Sequence, residues 1–225
     1  MREKRNQKKR RILRLLIICL VLYVFVAIVF QIFGMNIKNI RVEGNYYFTE
    51  QQIIDMARLT DYPNFYYNNP FVIRRRLQRE VMIQDVQVRI AWYNRVNITI
   101  TERKRLFYDK REGVIVLSDG KTMENDFKQV PILINYVPRE LYQKLIHSMD
   151  NLDQSIINRI SDITYTPNEV DRERFALNMI DGNLVFINIT RFNNLNRYDS
   201  IKERINNHTG ILNLDYGTNF EVREW

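Results

Sequence analysis

From Leu15 to Phe33 the chain is apolar apart from Gln31, and no charged residue stands between Arg14 and Lys38. These 19 residues, coiled as an α-helix, reach roughly 28 Å, about the hydrocarbon thickness of a bilayer. A soluble helix of this length would keep a polar face. A cleaved signal peptide would have a shorter apolar stretch closing on a small-x-small site; here the segment closes Val29-Phe30-Gln31-Ile32-Phe33-Gly34-Met35. Residues 15–35 are therefore expected to be an uncleaved transmembrane signal-anchor.

Charge sets its direction. Residues 1–14 carry eight Lys and Arg against Glu3 alone, which is seven of the eight net positive charges of the whole chain. Basic residues stay on the cytoplasmic side, so residues 36–225 are expected outside, at a bacterial cell membrane. The remaining 211 residues hold 26 basic and 25 acidic side chains. A basic nucleic-acid-binding surface is thereby excluded, although the pI of about 9.6 suggests one at first sight. The tail is a topology signal that also touches anionic membrane lipid. Arg74-Arg75-Arg76 would spread over several faces of a helix as a solvated surface.

Cys19, inside the apolar segment, is the only cysteine. The outer part thus has no disulfide and no thiol nucleophile, which points away from an animal cell-surface ectodomain. The N-x-T sequences at Asn97, Asn188 and Asn207 then carry no glycan.

The outer part divides near residue 103. The first block reads β-α-α-β-β. Ile40 and Val42 alternate with Arg41 and Glu43 as a strand, and Gly44-Asn45 makes a turn. Thr49 caps a helix with Gln52 as its capping-box partner, and Phe48 staples onto Ile53. Asn69-Pro70 opens a second helix, an N-cap followed by proline at the first position, with Ile73 and Leu77 inward. Val86, Val88, Ile90 and Trp92, then Val96, Ile98 and Ile100, alternate around Tyr93-Asn94 as a hairpin. The block should be a three-stranded sheet with two helices on one face.

The second block is strand-rich. Strands are expected at 106–108, 114–117, 130–134, 160–165, 175–180, 184–189, 211–216 and 220–225, with helices at about 139–149 and 195–207. Asp181-Gly182 is a hairpin signal. The fold class is α+β: the second block should be a large, mostly antiparallel sheet with an open last edge.

Catalytic signals are weak. His147 and His208 have no second ligand at helical or hairpin spacing, and seven scattered glycines make no phosphate-cradling loop. Ser118-Asp119-Gly120-Lys121 matches S-x-x-K of penicillin-binding enzymes. It lies in an apparent strand–turn–strand rather than at a helix start, and neither of the accompanying motifs is present. A serine acyltransferase is therefore the weaker alternative, and no cofactor, metal, nucleic acid or small-molecule substrate is implied.

The order of parts resembles the FtsQ/DivIB family of bacterial division proteins, whose first outer block is a POTRA domain. The resemblance is carried by Ile40-Arg41-Val42-Glu43-Gly44-Asn45, by Val86-Gln87-Val88 before Trp92-Tyr93, and by Val96-Asn97-Ile98-Thr99-Ile100-Thr101-Glu102-Arg103. It continues in Val116-Leu117-Ser118-Asp119-Gly120, Val130-Pro131-Ile132-Leu133 and Leu212-Asn213-Leu214-Asp215-Tyr216. A proline common in the family before the second strand is absent at Glu80-Val81, Lys104-Arg105 replaces Arg-x-Pro, and Asn213 stands where the family tends to have Asp.

The resemblance implies a basic tail at 1–14, an anchor at 15–35, a POTRA-like domain at 36–103 and a β-domain at 104–225. It implies a non-enzymatic scaffold at the division septum that binds FtsL-like and FtsB/DivIC-like bitopic partners by strand addition at the C-terminal edge. The residues implied are Leu214, Tyr216, Phe220, Val222 and Trp225, with Arg172 ahead of Phe175 as the nearest match to a family arginine. Another POTRA-bearing, polypeptide-handling protein is the first alternative, ahead of the serine acyltransferase.

Overall fold

The computed structural model describes residues 2–91, 94–124, 130–204, 208–215, 217 and 219–222. Its first element, α1 (Arg2–Phe33), contains the apolar span Leu13–Gln31, none of which is buried within the protein. The chain then forms two compact units, Met1–Glu102 and Arg103–Trp225.

In the first unit, β1 (Asn39–Glu43), α2 (Glu50–Ala57), α3 (Pro70–Leu77), β2 (Ile83–Ala91) and β3 (Arg95–Glu102) follow in the expected order. The sheet order is β1-β3-β2, with β1 parallel and β2 antiparallel to β3. The Thr49 hydroxyl accepts from Gln52 N and the Gln52 carboxamide accepts from Thr49 N, a reciprocal cap that stabilises α2 by about 1 kcal/mol. Asn69 caps α3 through Val72 N, 3.1 Å away. Ile53, Ala57, Ile73 and Leu77 from the helices meet Val86, Val96, Ile98 and Ile100 from the sheet. Gly44 is required: its φ is +83° and a Cβ there would collide with the Ile100 carbonyl oxygen.

The arginine run is not wholly a solvated surface. Arg76 reaches inward and donates to Ala57 O (2.8 Å) and Asn68 Oδ1 (2.7 Å), tying α2, α3 and the loop between them. Burial, with Arg58 and Arg79 nearby, lowers its pKa from the ordinary guanidinium value. Trp92 and Tyr93 lie outside the described residues.

Among the described residues the strands of the second unit form one nine-stranded sheet. Its strands are β4 (Arg105–Asp109), β5 (Val114–Leu117), β6 (Thr122–Glu124), β7 (Ile132–Leu133), β8 (Ile160–Tyr165), β9 (Arg174–Met179), β10 (Leu184–Asn188), β11 (Gly210–Asn213) and β12 (Asn219–Val222). They lie in the order β12-β11-β10-β9-β8-β7-β4-β5-β6. The sheet is mostly antiparallel, as expected, but β4–β7, β7–β8 and β10–β11 are parallel pairs. Parallel neighbours need crossovers. Two of these are helical: α4 (Arg139–Asp150) with the short α5 (Gln154–Ile157) between β7 and β8, and a 3-10 helix (Ile189–Arg197) leading into α6 (Tyr198–Arg204) between β10 and β11; β4 reaches β7 through β5 and β6.

Of the single α-helix expected at 195–207, residues 198–204 are α6, while residues 195–197 close the 3-10 stretch that begins at Ile189. Asn188 caps the 3-10 helix through Thr190 N, and Asn193, Asn194 and Asn196 follow, residues that favour turns over α-helix interiors. Leu195 and Tyr198 still face the core, with Ile201 packed at its rim, while Ile205 is outside the described residues.

Candidate partner-docking edge

β12 ends the sheet, and among the described residues no strand flanks its outer side. Its pairing with β11 matches Gly210 to Val222, Ile211 to Glu221, Leu212 to Phe220 and Asn213 to Asn219. The backbone directions follow from two hydrogen bonds. Gly210 N donates to Asn183 Oδ1 (2.8 Å) and Leu214 N donates to Phe186 O (2.8 Å), both on the β10 side. Even-numbered residues of β11 therefore address β10, and Ile211 and Asn213 address β12. On β12, Asn219 and Glu221 answer them. The N–H and C=O groups of Phe220 and Val222 point to the open edge, as strand addition requires.

The hairpin is held from beneath. Gly210 permits close approach, since a Cβ there would collide with the Glu221 carbonyl oxygen. Asn183, 2 % exposed, also donates from Nδ2 to the Tyr198 hydroxyl (2.7 Å), which in turn donates to Asp181 (2.9 Å). Lys202 Nζ donates to the same carboxylate at 2.7 Å. Burial alone would raise the Asp181 pKa, but the hydrogen bonds from Lys202, Tyr198 and Asn183 hold it below the usual carboxylate value. Burial also raises Tyr198, and Asp181 reinforces this. The Asp181-Gly182 turn thus binds β9, β10, α6 and β11 together.

A second brace is Arg174, whose Nε lies 2.8 Å from Asp215 Oδ2 and whose guanidinium stacks 3.8 Å above the Phe186 ring. Beside the edge runs a cleft of about 460 Å³, with Ile201 and Phe220 as apolar walls and Arg191, Arg197 and Arg204 around them.

Of the residues implied for partner binding, Phe220 is half-buried against the core and Val222 is exposed. Leu214 is a different case: at 1 % exposure its side chain belongs to the core, so it supports the edge rather than offering contact on it. Arg172 is exposed in the loop before β9, where its carbonyl accepts from the Tyr165 hydroxyl (2.7 Å). It is Arg174, directly before Phe175, that reaches the C-terminal hairpin. The one signal in the sequence was its place immediately before the strand expected at 175–180. Tyr216 and Trp225 lie outside the described residues.

The serine motif sits in a hairpin turn. Gly120 has φ +77°, Gly120 N donates to Leu117 O, and Ser118 N is spent on Lys104 O. Ser118 and Lys121 therefore do not share a helix face. Asp119 takes Arg103 Nε at 2.6 Å, with Lys121 Nζ at 3.5 Å. His147 lies near the end of α4, its Nε2 3.3 Å from Asn151 Nδ2, and His208 is exposed before β11. Among the described residues no three His, Cys, Asp or Glu side chains gather as metal ligands.

Residues 35–103 match the POTRA domain, FtsQ-type. Cell division protein DivIB of Brevibacillus brevis is 30 % identical, over 94 % of this chain and 85 % of that protein. The chain belongs to the FtsQ/DivIB family of bacterial cell-division proteins. DivIB of Bacillus subtilis strain 168 is 27 % identical over 98 % of this chain and 87 % of its own length. Among solved structures, the major extracytoplasmic domain of DivIB from Geobacillus stearothermophilus matches with a TM-score of 0.39 and 20 % identity, covering 47 % of this chain and 96 % of that one. The FtsQ/DivIB membership gives this chain a role in cell division, and its N-terminal apolar helix fits a single-pass membrane protein.

Proposed function

We propose that this DivIB-type chain is a non-enzymatic scaffold of the septal division machinery. It captures FtsL-like and FtsB/DivIC-like bitopic partners by adding a partner strand to β12. The observation that carries this reading is the outward aim of the Phe220 and Val222 backbone groups on a strand that none of the described strands flanks, beside a cleft with apolar walls and three arginines. Main-chain hydrogen bonds would supply the affinity, and Phe220 and Val222 the side-chain selection.

The backbone geometry gives a sharp test. Proline removes one N–H. Val222→Pro deletes a donor aimed at the partner and leaves the β11 ladder intact; Glu221→Pro deletes one aimed at β11. In co-purification with FtsL-like and DivIC-like ectodomains, Val222→Pro should weaken capture at least tenfold while the thermal midpoint stays near wild type. Glu221→Pro should lower both, and a chain truncated after Gly217 should lose capture. Full capture by folded Val222→Pro and by the truncated chain would show that the edge is not the docking site.

A further inference from the structure

The loop between α2 and α3 displays aromatic side chains to solvent. Tyr62, Tyr66 and Tyr67, with Phe71 in the first turn of α3, are 51–72 % exposed, whereas past α1 most other apolar residues of the unit are packed away. Single exposed aromatics are ordinary, but four within ten residues of sequence call for a cause.

The loop is not slack. Asn68 is buried and donates to Asn64 O (2.8 Å), while Arg76 holds its Oδ1. Tyr66 N donates to Asn64 Oδ1 (2.9 Å). Phe65 packs into the core, so its neighbours are turned out on a fixed platform.

The position of this platform relative to α1 is also fixed. Phe65 N donates to Met35 O (2.7 Å), Ile37 N donates to Pro63 O (3.1 Å), and Asn36 bridges to Asn64. The apolar span ends at Gln31 and α1 ends at Phe33. Two helical and two extended steps from Gln31 to Met35 cover at most roughly 10 Å. The headgroup layer outside the hydrocarbon is about 5–8 Å thick. The loop is therefore tethered within the headgroup layer or at most a few ångströms above it, whatever the tilt of α1. Tyrosine rings favour that layer, the ring in the acyl boundary and the hydroxyl in water. Lys38, Arg58 and Arg95 are exposed at the same end of the unit, with Asp61 as an acidic neighbour, which suits lipid phosphates.

We propose that the segment from Tyr62 to Phe71 is a membrane-seating surface, with these four rings resting in the lipid interface and fixing the POTRA domain against the bilayer. The inference rests on α1 crossing the membrane and is independent of the β12 edge. The test uses the full chain in phosphatidylcholine vesicles, with Trp92→Phe and Trp225→Phe removing the native fluorophores. Tyr66→Trp is the reporter, and Tyr67→Trp repeats it. Tyr46→Trp is the control, since Tyr46 is equally exposed (67 % against 62 %) but lies beyond the opposite end of β1. Bromine at the upper acyl carbons should quench the Tyr66→Trp and Tyr67→Trp variants at least threefold more than the Tyr46→Trp control, and half-molar salt should not abolish the effect. Equal quenching in all three variants, or quenching lost in salt, would overturn aromatic seating. Failure of the chain to float with the vesicles would instead show that α1 does not anchor it.

Discussion

Glu102 and Arg103 are adjacent in sequence and are spent on different units. The Glu102 carboxylate accepts three successive backbone N–H groups, from Tyr46 (3.1 Å), Tyr47 (2.6 Å) and Phe48 (3.2 Å), closing the turn between β1 and α2. Arg103, 7 % exposed, commits its Nε to Asp119 in the hairpin turn of the β-domain. A charged acceptor bonded to several partly buried amides is worth more than a surface ion pair. Glu102→Ala should therefore destabilise the first unit by roughly 2–3 kcal/mol, and Glu102→Gln, which keeps one carbonyl acceptor, by about half as much. Glu43→Ala breaks an exposed pair with Arg41 and should cost less than about 1 kcal/mol. Urea midpoints of the three variants check the ranking; equal losses at Glu43 and Glu102 would refute the cradle.

At the scale of elements, the turn at Asp181-Gly182 joins β9 to β10, anchors α6 through the Asp181 carboxylate and holds the start of β11 through Asn183. Because the folded Asp181 pKa lies below its ordinary value of about 3.9, its contribution is fully present above that pH and fades as pH falls through the lower folded value. Asp119 behaves likewise: burial would raise its pKa, but the hydrogen bond from Arg103 outweighs that. The thermal midpoint of the wild type should fall below about pH 4, and Asp181→Asn should lower the midpoint at pH 7 and flatten the acid limb without removing it. An unchanged acid limb in Asp181→Asn would show that the turn does not carry this linkage. The hairpin itself was legible in the sequence, as were the caps at Thr49 and Asn69, because each is set by neighbours within three residues. The parallel pairings of β7 and β11 were not legible, since partner choice depends on crossovers that local alternation does not encode. Leu195, near the end of the 3-10 helix, and Tyr198, opening α6, kept their inward positions, while the asparagines at 193, 194 and 196 favour a 3-10 approach over an α-helical one. Leu214 was implied as a partner contact by the family resemblance, which does not tell which face of the sheet the crossover helices cover. Arg76 hid inside an arginine run because only the packing of α2 on α3 gives it acceptors.

At the scale of the whole molecule, the proposed function would have α1 give the binding surfaces a position rather than a contact. A partner that is itself anchored in the same bilayer meets them in a thin layer, where the second encounter is in effect intramolecular. The tether and the β12 edge should then be separable. A chain beginning at residue 36 should capture soluble partner ectodomains as well as the full chain does. Toward partners held in the same vesicle, losing α1 should weaken apparent capture by roughly 10²-fold or more, the range expected when an effective concentration is lost without any contact being lost. Replacing residues 15–33 with an unrelated apolar helix of equal length should restore capture. If the replacement fails while the chain still floats with vesicles, then Leu15 to Phe33 contributes side-chain contacts to partner helices within the bilayer. Tethering alone would then be too small a role for α1.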